Sequence, residues 1–318
     1  MTLSDLQYIL NTFSPKGYQK AFNNKAPFFG HLRIKPGKGK IGVKYHHSKN
    51  TSGGSFSEGD DLSTAGKQLR RELTFPWKQV YKTINVSGLS EAVALNGGVK
   101  DIKDMVKQEL MDATEDLIKE INDQLLGDGT GNSGADIQGL KYHIEDSGNY
   151  AEQALDRATY TWLKSYINDN GGVNRDLTKV LIDNVHNTLV DTRGVNYNQV
   201  WTSSTVAGAY EALLGDKVRY TKINIGDLFF DALLIHGRPV IPFPGYPANR
   251  MDFVEADGFE VQYLPVESRD SLGRVAKNGM FKVKELSTVK DATVAAVISY
   301  MNLVCKNVYH AGSLQDVE

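Results

Sequence analysis

The stretch VKDIKDMVKQELMDATEDLIKEINDQLLGDGTGNSGADIQGL, residues 99–140, decides the fold of this 318-residue chain. Its apolar residues recur at steps of three and four, the spacing that places side chains on one face of an α-helix. Neither Gly nor Pro interrupts the run before Gly127, so we predict one amphipathic helix of about 28 residues, about 40 Å long. Such a helix suits a protein that spans a distance. The apolar stripe consists of Val99, Ile102, Val106, Leu110, Ala113, Leu117, Ile121 and Leu125.

The glycine-rich loop after this helix resembles two ligand-binding motifs, and its context excludes both. The glycines match the dinucleotide pattern G-x-G-x-x-G, but that site needs a strand before them and a helix after them. Counted as a calcium loop from Asp128, the segment has Ser133 where Gly is needed and Gly139 where a bidentate Glu belongs. We expect a tight reversal with positive φ instead. The glycines concerned are Gly129, Gly131 and Gly134.

Charge is unevenly distributed along the chain. Charged residues make up 23% of the sequence and the net charge is only −2. Residues 1–80 hold 13 Lys or Arg and five Asp or Glu, a formal charge of +8, so residues 81–318 carry −10. A basic front and an acidic body favour head-to-tail association between copies, with nucleic acid as the competing partner. Two solvated faces without any partner are the third interpretation.

The single cysteine and the apolar runs indicate the compartment. Cys305 alone allows neither an internal disulfide nor a cysteine-based metal cluster. It lies in an apolar run, so we expect a buried, inert thiol, which fits a reducing cytoplasm. Residues 1–10 lack a signal-peptide pattern, and no apolar run approaches the roughly 18 residues of a membrane span. We expect no membrane contact.

The front of the chain predicts a hairpin. Strand-like residues 33–46 and 68–86 flank residues 47–66, which are rich in Ser, Gly, Thr and Asp, as in a two-stranded hairpin with a polar tip. An isolated hairpin is marginally stable in water, so this one must rest on its own domain or on a neighbouring molecule. Before it, residues 3–10 predict a short helix, and residues 11–29 predict an irregular arm that needs a surface to lie on.

The remainder mixes helices and strands without the regular alternation of a doubly wound sheet, which favours the α+β class. Helices are predicted at residues 159–168, 177–190 and 206–214. Strands are predicted at residues 200–202, 229–235, 239–243, 259–264, 280–286, 292–300 and 303–308.

No pattern indicates catalysis or a bound cofactor. His186 has Asp183 one helical turn before it, and a surface ion pair is the expected role. His236 and His310 have no triad-like or metal-site companion in the sequence. We therefore expect no enzymatic activity, no catalytic residue, no cofactor, no metal and no small-molecule substrate.

A nucleic-acid-binding module is a further possibility. Basic residues 33–49 and the cluster at residues 67–71 are able to contact phosphates, but no zinc-finger or RNP signature accompanies them. His46 and His47 have Lys44 and Lys49 nearby, which disfavours a bound metal, so we expect solvated histidines.

The order of the predicted elements resembles the major capsid proteins of tailed bacteriophages, those with the Hong Kong 97-type fold. An arm, a polar-tipped hairpin, a long helix and a glycine loop ending in Gly139 and Leu140 follow one another as they do in that family. Nearly the whole chain takes part in this resemblance. The segments similar to family motifs are WKQVYKTI (77–84), ATYTWL (158–163), LLIHGRPV (233–240) and MNLVCKN (301–307).

The resemblance implies an α+β capsid fold with an N-terminal arm, an extended E-loop hairpin, a P-domain built on a long spine helix, and a mixed α/β A-domain. The implied divisions are residues 1–29 for the arm, 30–82 for the E-loop, 83–144 for the P-domain helix and glycine loop, 145–245 for the A-domain, 246–293 for the P-domain strands, and 294–318 for C-terminal strands returning to the A-domain.

The same resemblance implies a structural role: pentamers and hexamers of an icosahedral viral shell around double-stranded DNA, assembled in the host cytoplasm. DNA would be held by non-specific contact, and a portal is implied as a partner. Some members carry an N-terminal scaffolding segment before the arm, whereas this sequence starts almost at the arm. A separate scaffolding protein is therefore expected, unless such a segment was removed. An encapsulin-like compartment on the same fold is the alternative. No context marks an asparagine for cross-linking to a hairpin lysine, and we predict none.

Overall fold

The computed structural model describes residues 26–48, 52–62, 69–87, 99–215, 220–225, 228–269, 275–286 and 292–318. The predicted helix at residues 3–10, the arm up to residue 25 and parts of the hairpin tip lie outside these ranges. The labelled helices are α1 (Pro27–His31), α2 (Val99–Leu126), α3 (Leu140–His143), α4 (Lys179–Asn187) and α5 (Ser204–Leu214). The strands are β1 (Arg33–Pro36), β2 (Ile41–His46), β3 (Arg70–Phe75), β4 (Lys78–Ser87), β5 (Asn149–Tyr150), β6 (Leu155–Asp156), β7 (Tyr166–Asn168), β8 (Gln199–Thr202), β9 (Tyr220–Ile225), β10 (Leu228–Ile235), β11 (Arg238–Pro242), β12 (Arg250–Val254), β13 (Phe259–Tyr263), β14 (Val266–Arg269), β15 (Val275–Gly279), β16 (Phe281–Leu286), β17 (Ala292–Cys305) and β18 (Gly312–Gln315).

The predicted long helix is confirmed, since α2 has 28 residues and ends immediately before Gly127. Leu110, Leu117, Ile121 and Leu125 are buried on its inner face, which packs on β4 and β17. Burying each such side chain stabilises the fold by about 1.5–3 kcal/mol relative to exposure. The side chains of the first stripe residues, up to residue 107, lie outside the described part. None of the described helices combines the length and apolarity that a membrane span requires.

Strand β17 organises a five-stranded sheet. It pairs antiparallel with β4 and β16 along residues 294–299, and its last five residues pair antiparallel with β13. β1 adds to β13 as a parallel edge. Leu303, Val304 and Cys305 are all buried although consecutive residues of a strand point to opposite faces, so this end of β17 is covered on both sides.

A seven-stranded sheet forms the rest of the body, in the order β7-β18-β12-β8-β11-β10-β9. The pairs β7–β18 and β8–β11 are parallel and the others antiparallel, in agreement with the predicted α+β class. A second core fills the space between this sheet and α4, where Ile182, Val185 and Leu189 are buried. The helices predicted at residues 177–190 and 206–214 are confirmed as α4 and α5.

Both predicted hairpin strands are divided, which corrects their bounds. The first is interrupted around Pro36, Gly37 and Gly39, so β1 leaves the hairpin and joins β13. The second is interrupted at Pro76, which has no backbone N–H to donate to a ladder, so β4 pairs with β17. The hairpin itself is β2 against β3, six residues each.

Two further predictions were wrong. Residues 159–168 are not a helix: a 3₁₀ turn at Thr161–Leu163 precedes β7, because pairing with β18 holds the chain extended there. The strands predicted at residues 292–300 and 303–308 are one strand, β17, that ends at Cys305. Met301 and Asn302 continue the ladder with β13, a partner distant in sequence that local pattern does not reveal.

The end of the predicted arm is embedded in the body. α1 places the ring of Phe28 edge-on against Trp201 and Phe243, with centroids 5.4 and 5.2 Å apart. The backbone N–H of Phe29 donates to Oδ1 of Asn122 in α2 at 3.2 Å. Residues 26–29 therefore belong to the core and not to a free arm.

Replacing Leu117 by Asp should prevent stable folding. Leu117 is fully buried on α2, so the substitution places a carboxylate without partners in the core, at a cost of several kcal/mol. Urea unfolding followed by far-UV circular dichroism measures the loss. Lys119→Asp introduces the same side chain on the exposed face of the same turn, and equal midpoints for the two variants would contradict the assigned inner face.

Candidate assembly surfaces

The hairpin β2–β3 has one apolar face and one polar face. In β2, Ile41, Val43 and Tyr45 are buried while the residues between them are exposed. Leu73 and Phe75 of β3 are buried on the same side. All five belong to the main core, so the hairpin rests on its own subunit at this end. The sequence analysis allowed the hairpin to rest on its own domain or on a neighbouring molecule. The structure shows that the base of the hairpin rests on its own subunit.

An aromatic anchor fastens this base. The hydroxyl of Tyr45 donates to the backbone carbonyl of Cys305 in β17 and lies 3.1 Å from the hydroxyl of Tyr150. Phe75 packs edge-on against Tyr150, with ring centroids 5.4 Å apart. Neither hairpin strand can therefore shift its register without breaking contacts to β5 and β17.

His143 extends the anchor into the core. Its Nε2 lies 3.0 Å from the carbonyl oxygen of Leu303, which can only accept, so Nε2 carries the proton. Nδ1 is then an acceptor, and the hydroxyl of Tyr150 donates to it at 2.7 Å. Burial lowers the pKa of His143 to about 3, and the imidazole is held neutral.

Arg157 closes the anchor from the other side. Its guanidinium lies over the Tyr150 ring, 4.7 Å from the centroid, and donates to the carbonyl of Tyr142 at 2.6 Å. Its Nε and Nη1 atoms are buried and have no hydrogen-bond partner among the described residues. Sequence analysis missed His143, Tyr150 and Arg157, because the partners that give them their roles are up to 160 residues away.

The thiol of Cys305 is buried at the same place. Burial raises its pKa to about 12, so it stays protonated. The predicted inert, buried thiol is confirmed. A nucleophilic cysteine would need a lowered pKa and access to solvent.

The tip of the hairpin is exposed where the structure describes it. Residues 53–62 are exposed, and 66% of Phe56 and 65% of Leu62 are accessible. The carboxylate of Asp60 accepts from the backbone N–H of Ser57 at 2.7 Å, which forms a local turn. Two large apolar side chains on a polar loop are unfavourable in water and are available to a partner.

The outer face of α2 is acidic. Glu109, Asp112, Asp116 and Asp123 are exposed and lie on one stripe, because they follow one another at steps of three, four and seven. We call these four residues the acidic stripe. Lys119 is the basic residue between them. The base of the hairpin and the residues just before it, which we call the hairpin end, carry exposed cations instead: Arg33, Lys38, Lys40, Lys44 and Arg70. The described tip differs in sign, because Glu58, Asp60 and Asp61 are exposed there.

The glycine loop after α2 is an ordered turn that reverses the direction of the chain. Gly129 and Gly134 have φ of +78° and +81°, as expected. For Gly131 the expectation is wrong, because Asn132 and Ser133 take the positive φ values there, +49° and +57°. A Cβ at Gly139 would lie 2.4 Å from the carbonyl oxygen of Gln124, so only glycine lets the returning chain pass the end of α2. Asp128 caps the turn, accepting from the backbone N–H of Thr130 at 2.9 Å. Within the described ranges no group of three His, Cys, Asp or Glu is placed to hold a metal ion.

His236 has a companion that the sequence did not reveal. Its Nε2 lies 2.9 Å from Oδ1 of Asp183, so the predicted pair of Asp183 with His186 is wrong. The two imidazoles stack instead, with centroids 3.9 Å apart and planes at 11°. Burial lowers the pKa of His186, and the neighbouring His236 and Arg238 lower it further. The cluster joins α4 to the β10–β11 turn.

The other histidines also have identified surroundings. His310 pairs with Glu255 through Nδ1 at 3.0 Å, which corrects its description as a residue without a companion. His47 lies against the ring of Trp162, with centroids 5.6 Å apart. His46 is exposed, as predicted.

Solved structures with the same fold come from protein shells. The cyanophage A-1(L) capsid subunit matches with a TM-score of 0.65 at 16% identity, over 94% of this chain and 93% of that chain. The capsid protein of an empty GTA particle gives 0.58 at 14% identity, over 93% and 91%. The SrpI encapsulin of Synechococcus elongatus gives 0.55 at 13% identity, over 96% and 89%. These likenesses show that the chain has the same fold as these shell subunits.

The sequence itself then identifies the family. The family model of the SU10 major capsid protein matches residues 43–318, a span that includes the hairpin, α2 and the seven-stranded sheet. The chain belongs to the SU10 major capsid protein family, whose members are structural components of phage capsids. A comparison with curated proteins gives no match. The resemblance seen in the order of the predicted elements is confirmed.

Acid should weaken the fold through His143. The ordinary pKa of 6.5 applies to the unfolded chain and a pKa of about 3 to the folded one, so between these values the unfolded chain binds the additional proton. The stabilisation is complete above pH 6.5 and is lost as the pH falls toward 3. At pH 5 it is lower by about 2 kcal/mol.

Urea unfolding between pH 7 and pH 5 measures this effect. His143→Gln should flatten the dependence of the unfolding free energy on pH, whatever its effect on stability at pH 7. His46→Gln removes an exposed histidine outside the anchor and is the matched control. A wild-type slope retained by His143→Gln would exclude the buried neutral imidazole.

Proposed function

We propose that this chain assembles as pentamers and hexamers into an icosahedral shell that encloses double-stranded DNA, and that the shell forms in the host cytoplasm before it becomes the virion capsid. The observation that carries the proposal is the family match over residues 43–318. The further partners that we propose are a separate scaffolding protein and a portal. Identical copies related by symmetry do not by themselves provide a single DNA entrance, so an additional component is needed.

The proposed division of the chain follows the capsid fold, with adjusted boundaries. In this proposal, residues 1–29 contain the arm, whose last residues, 26–29, pack in the core, and residues 30–82 contain the E-loop, whose base is formed by β2 and β3. Residues 83–144 supply the P-domain helix and glycine loop, and residues 294–318 return to the A-domain. The resemblance placed the boundary between the A-domain (145–245) and the P-domain strands (246–293) after residue 245, and we move it. Because β12 pairs with β8 and β18, the A-domain in this proposal extends to Val254.

The contact between copies that we propose joins the basic hairpin end of one subunit to the acidic stripe of the next. The exposed cations and the acidic stripe are opposite in sign. Contact between different patches on identical copies is heterologous, and such contacts close into rings. Complementary charge between the cations of the hairpin end and the acidic stripe directs this docking and rejects wrong partners.

An encapsulin-like compartment is the second candidate, because the SrpI encapsulin shares the fold over 96% of this chain. The two functions differ in what the shell contains. Particles formed by the full chain with its neighbouring gene products should be seen by electron microscopy and should protect double-stranded DNA from nuclease. Particles that protect protein cargo and no DNA would favour the compartment, and a chain that stays monomeric under all conditions would contradict both.

Charge reversal tests the proposed contact. Lys38→Glu with Lys40→Glu should raise the concentration needed for assembly several-fold, as should Asp112→Lys with Asp116→Lys, because like charges then face each other. Combining the four substitutions should restore assembly toward the wild-type level. Light scattering follows assembly, and circular dichroism checks that each variant is folded. Combined substitutions that assemble no better than either pair would refute this pairing of surfaces.

A further inference from the structure

A cationic cleft of about 510 Å³ lies between the hairpin and the body. The end of β2 forms one wall with Lys44, His46 and His47, and the segment after β17 forms the other with Lys306 and Tyr309. Arg193 and Trp162 complete the lining. Among the described residues that line it there is neither Asp nor Glu.

The carboxylates near the cleft are Glu72, Glu255 and Glu260, of which Glu255 pairs with the lining residue His310 at 3.0 Å. They are fewer than the four cations at the cleft and its rim, which are Lys35, Lys44, Arg193 and Lys306. Glu260 accepts from Lys306 at 3.0 Å and from Lys35 at 2.8 Å, so one carboxylate serves two cations. The described contacts of the Arg193 guanidinium are the carbonyl oxygens of Lys164 and Tyr309, at 3.0 and 3.1 Å, and aromatic rings. A net positive charge therefore remains at the cleft.

Lys44 projects from the exposed face of β2, with Glu72 opposite it in the ladder. The Glu72 carboxylate leans over Gly42, where an added Cβ would lie 2.4 Å from Oε1. Lys44 and Glu72 do not form an ion pair, and Lys44 lines the cleft.

The walls strengthen the field of these cations. Trp162 lies against Tyr45 and His47, with centroids 5.9 and 5.6 Å apart, and the Arg193 guanidinium lies 4.4 Å from the Tyr309 centroid. A cleft with charges of one sign and aromatic walls of low polarity focuses its potential on the enclosed volume. An anion in it interacts with more than one cation at once.

We propose that this cleft binds phosphate groups, and that their source is the phosphodiester backbone of double-stranded DNA. The choice of DNA rests on the proposed function, whereas the anion site rests on the geometry of the cleft. Lysine and arginine donors that converge from three segments suit an anion with several acceptor oxygens. Since two or three cations take part, binding is weak and non-specific, with a shallow dependence on salt.

Fluorescence anisotropy with unassembled full-length chain and a fluorescein-labelled duplex tests the proposal. Lys44→Glu should weaken binding by about 10-fold and lower the slope of log K against log salt by about 1, the value expected for one lost phosphate contact. Lys40→Glu makes the same charge change at the residue just before β2, outside the cleft lining. It should weaken DNA binding far less. Lys306→Gln, on the opposite wall, should reproduce the loss.

Each outcome decides a separate point. Equal effects of Lys44→Glu and Lys40→Glu would overturn the cleft as a site. Displacement of the duplex by poly-glutamate at equal charge concentration would overturn phosphate in favour of an acidic protein segment. Competition by inorganic phosphate as strong as by DNA phosphates would overturn DNA as the source. Absence of shells by electron microscopy contradicts the proposed function only, because the anisotropy is measured before assembly.

Discussion

The structure depends on one strand, which pairs with three other strands and accepts hydrogen bonds from two side chains. β17 pairs with β4, β16 and β13 and lies under α2, so the long helix and the five-stranded sheet are built on it. The backbone carbonyls of Leu303 and Cys305 also accept hydrogen bonds, from His143 and Tyr45 respectively. A substitution in β17 is therefore expected to disturb both the hairpin base and the long helix. The five-stranded sheet, α2 and the hairpin base are thus held together by one strand.

Periodicity predicted those elements whose burial is local. α2 was predicted to its last turn because one apolar stripe and Gly127 define it, and α4 and α5 followed from the same signal. Elements held by distant partners were not predictable in this way. β7 carries a helix-like pattern, yet pairing with β18 makes it a strand, and β1 and β4 leave the hairpin for partners far away in sequence.

The same limit applies to the candidate surfaces. Charge imbalance between the two parts of the chain predicted a basic hairpin end and an acidic body, and the structure shows one line of exposed acids on the outer face of α2. It also shows exposed acids at the hairpin tip, which the net charge of residues 1–80 concealed. The anchor of Tyr45, Tyr150 and His143 could not be recognised from local sequence. Tyr45 and Tyr150 are 105 residues apart, and His143 and Tyr150, although only seven residues apart, form no known motif. The histidine stack was likewise hidden, because His186 and His236 meet only when α4 lies against the β10–β11 turn.

The buried thiol has a consequence for particles outside the cell. With its pKa near 12 and no solvent access, Cys305 supplies no thiolate to dissolved oxygen or peroxide while the subunit is folded. Because it is the chain's only cysteine, folded copies have no route to disulfides between them. An oxidising medium therefore does not cross-link folded subunits through this thiol.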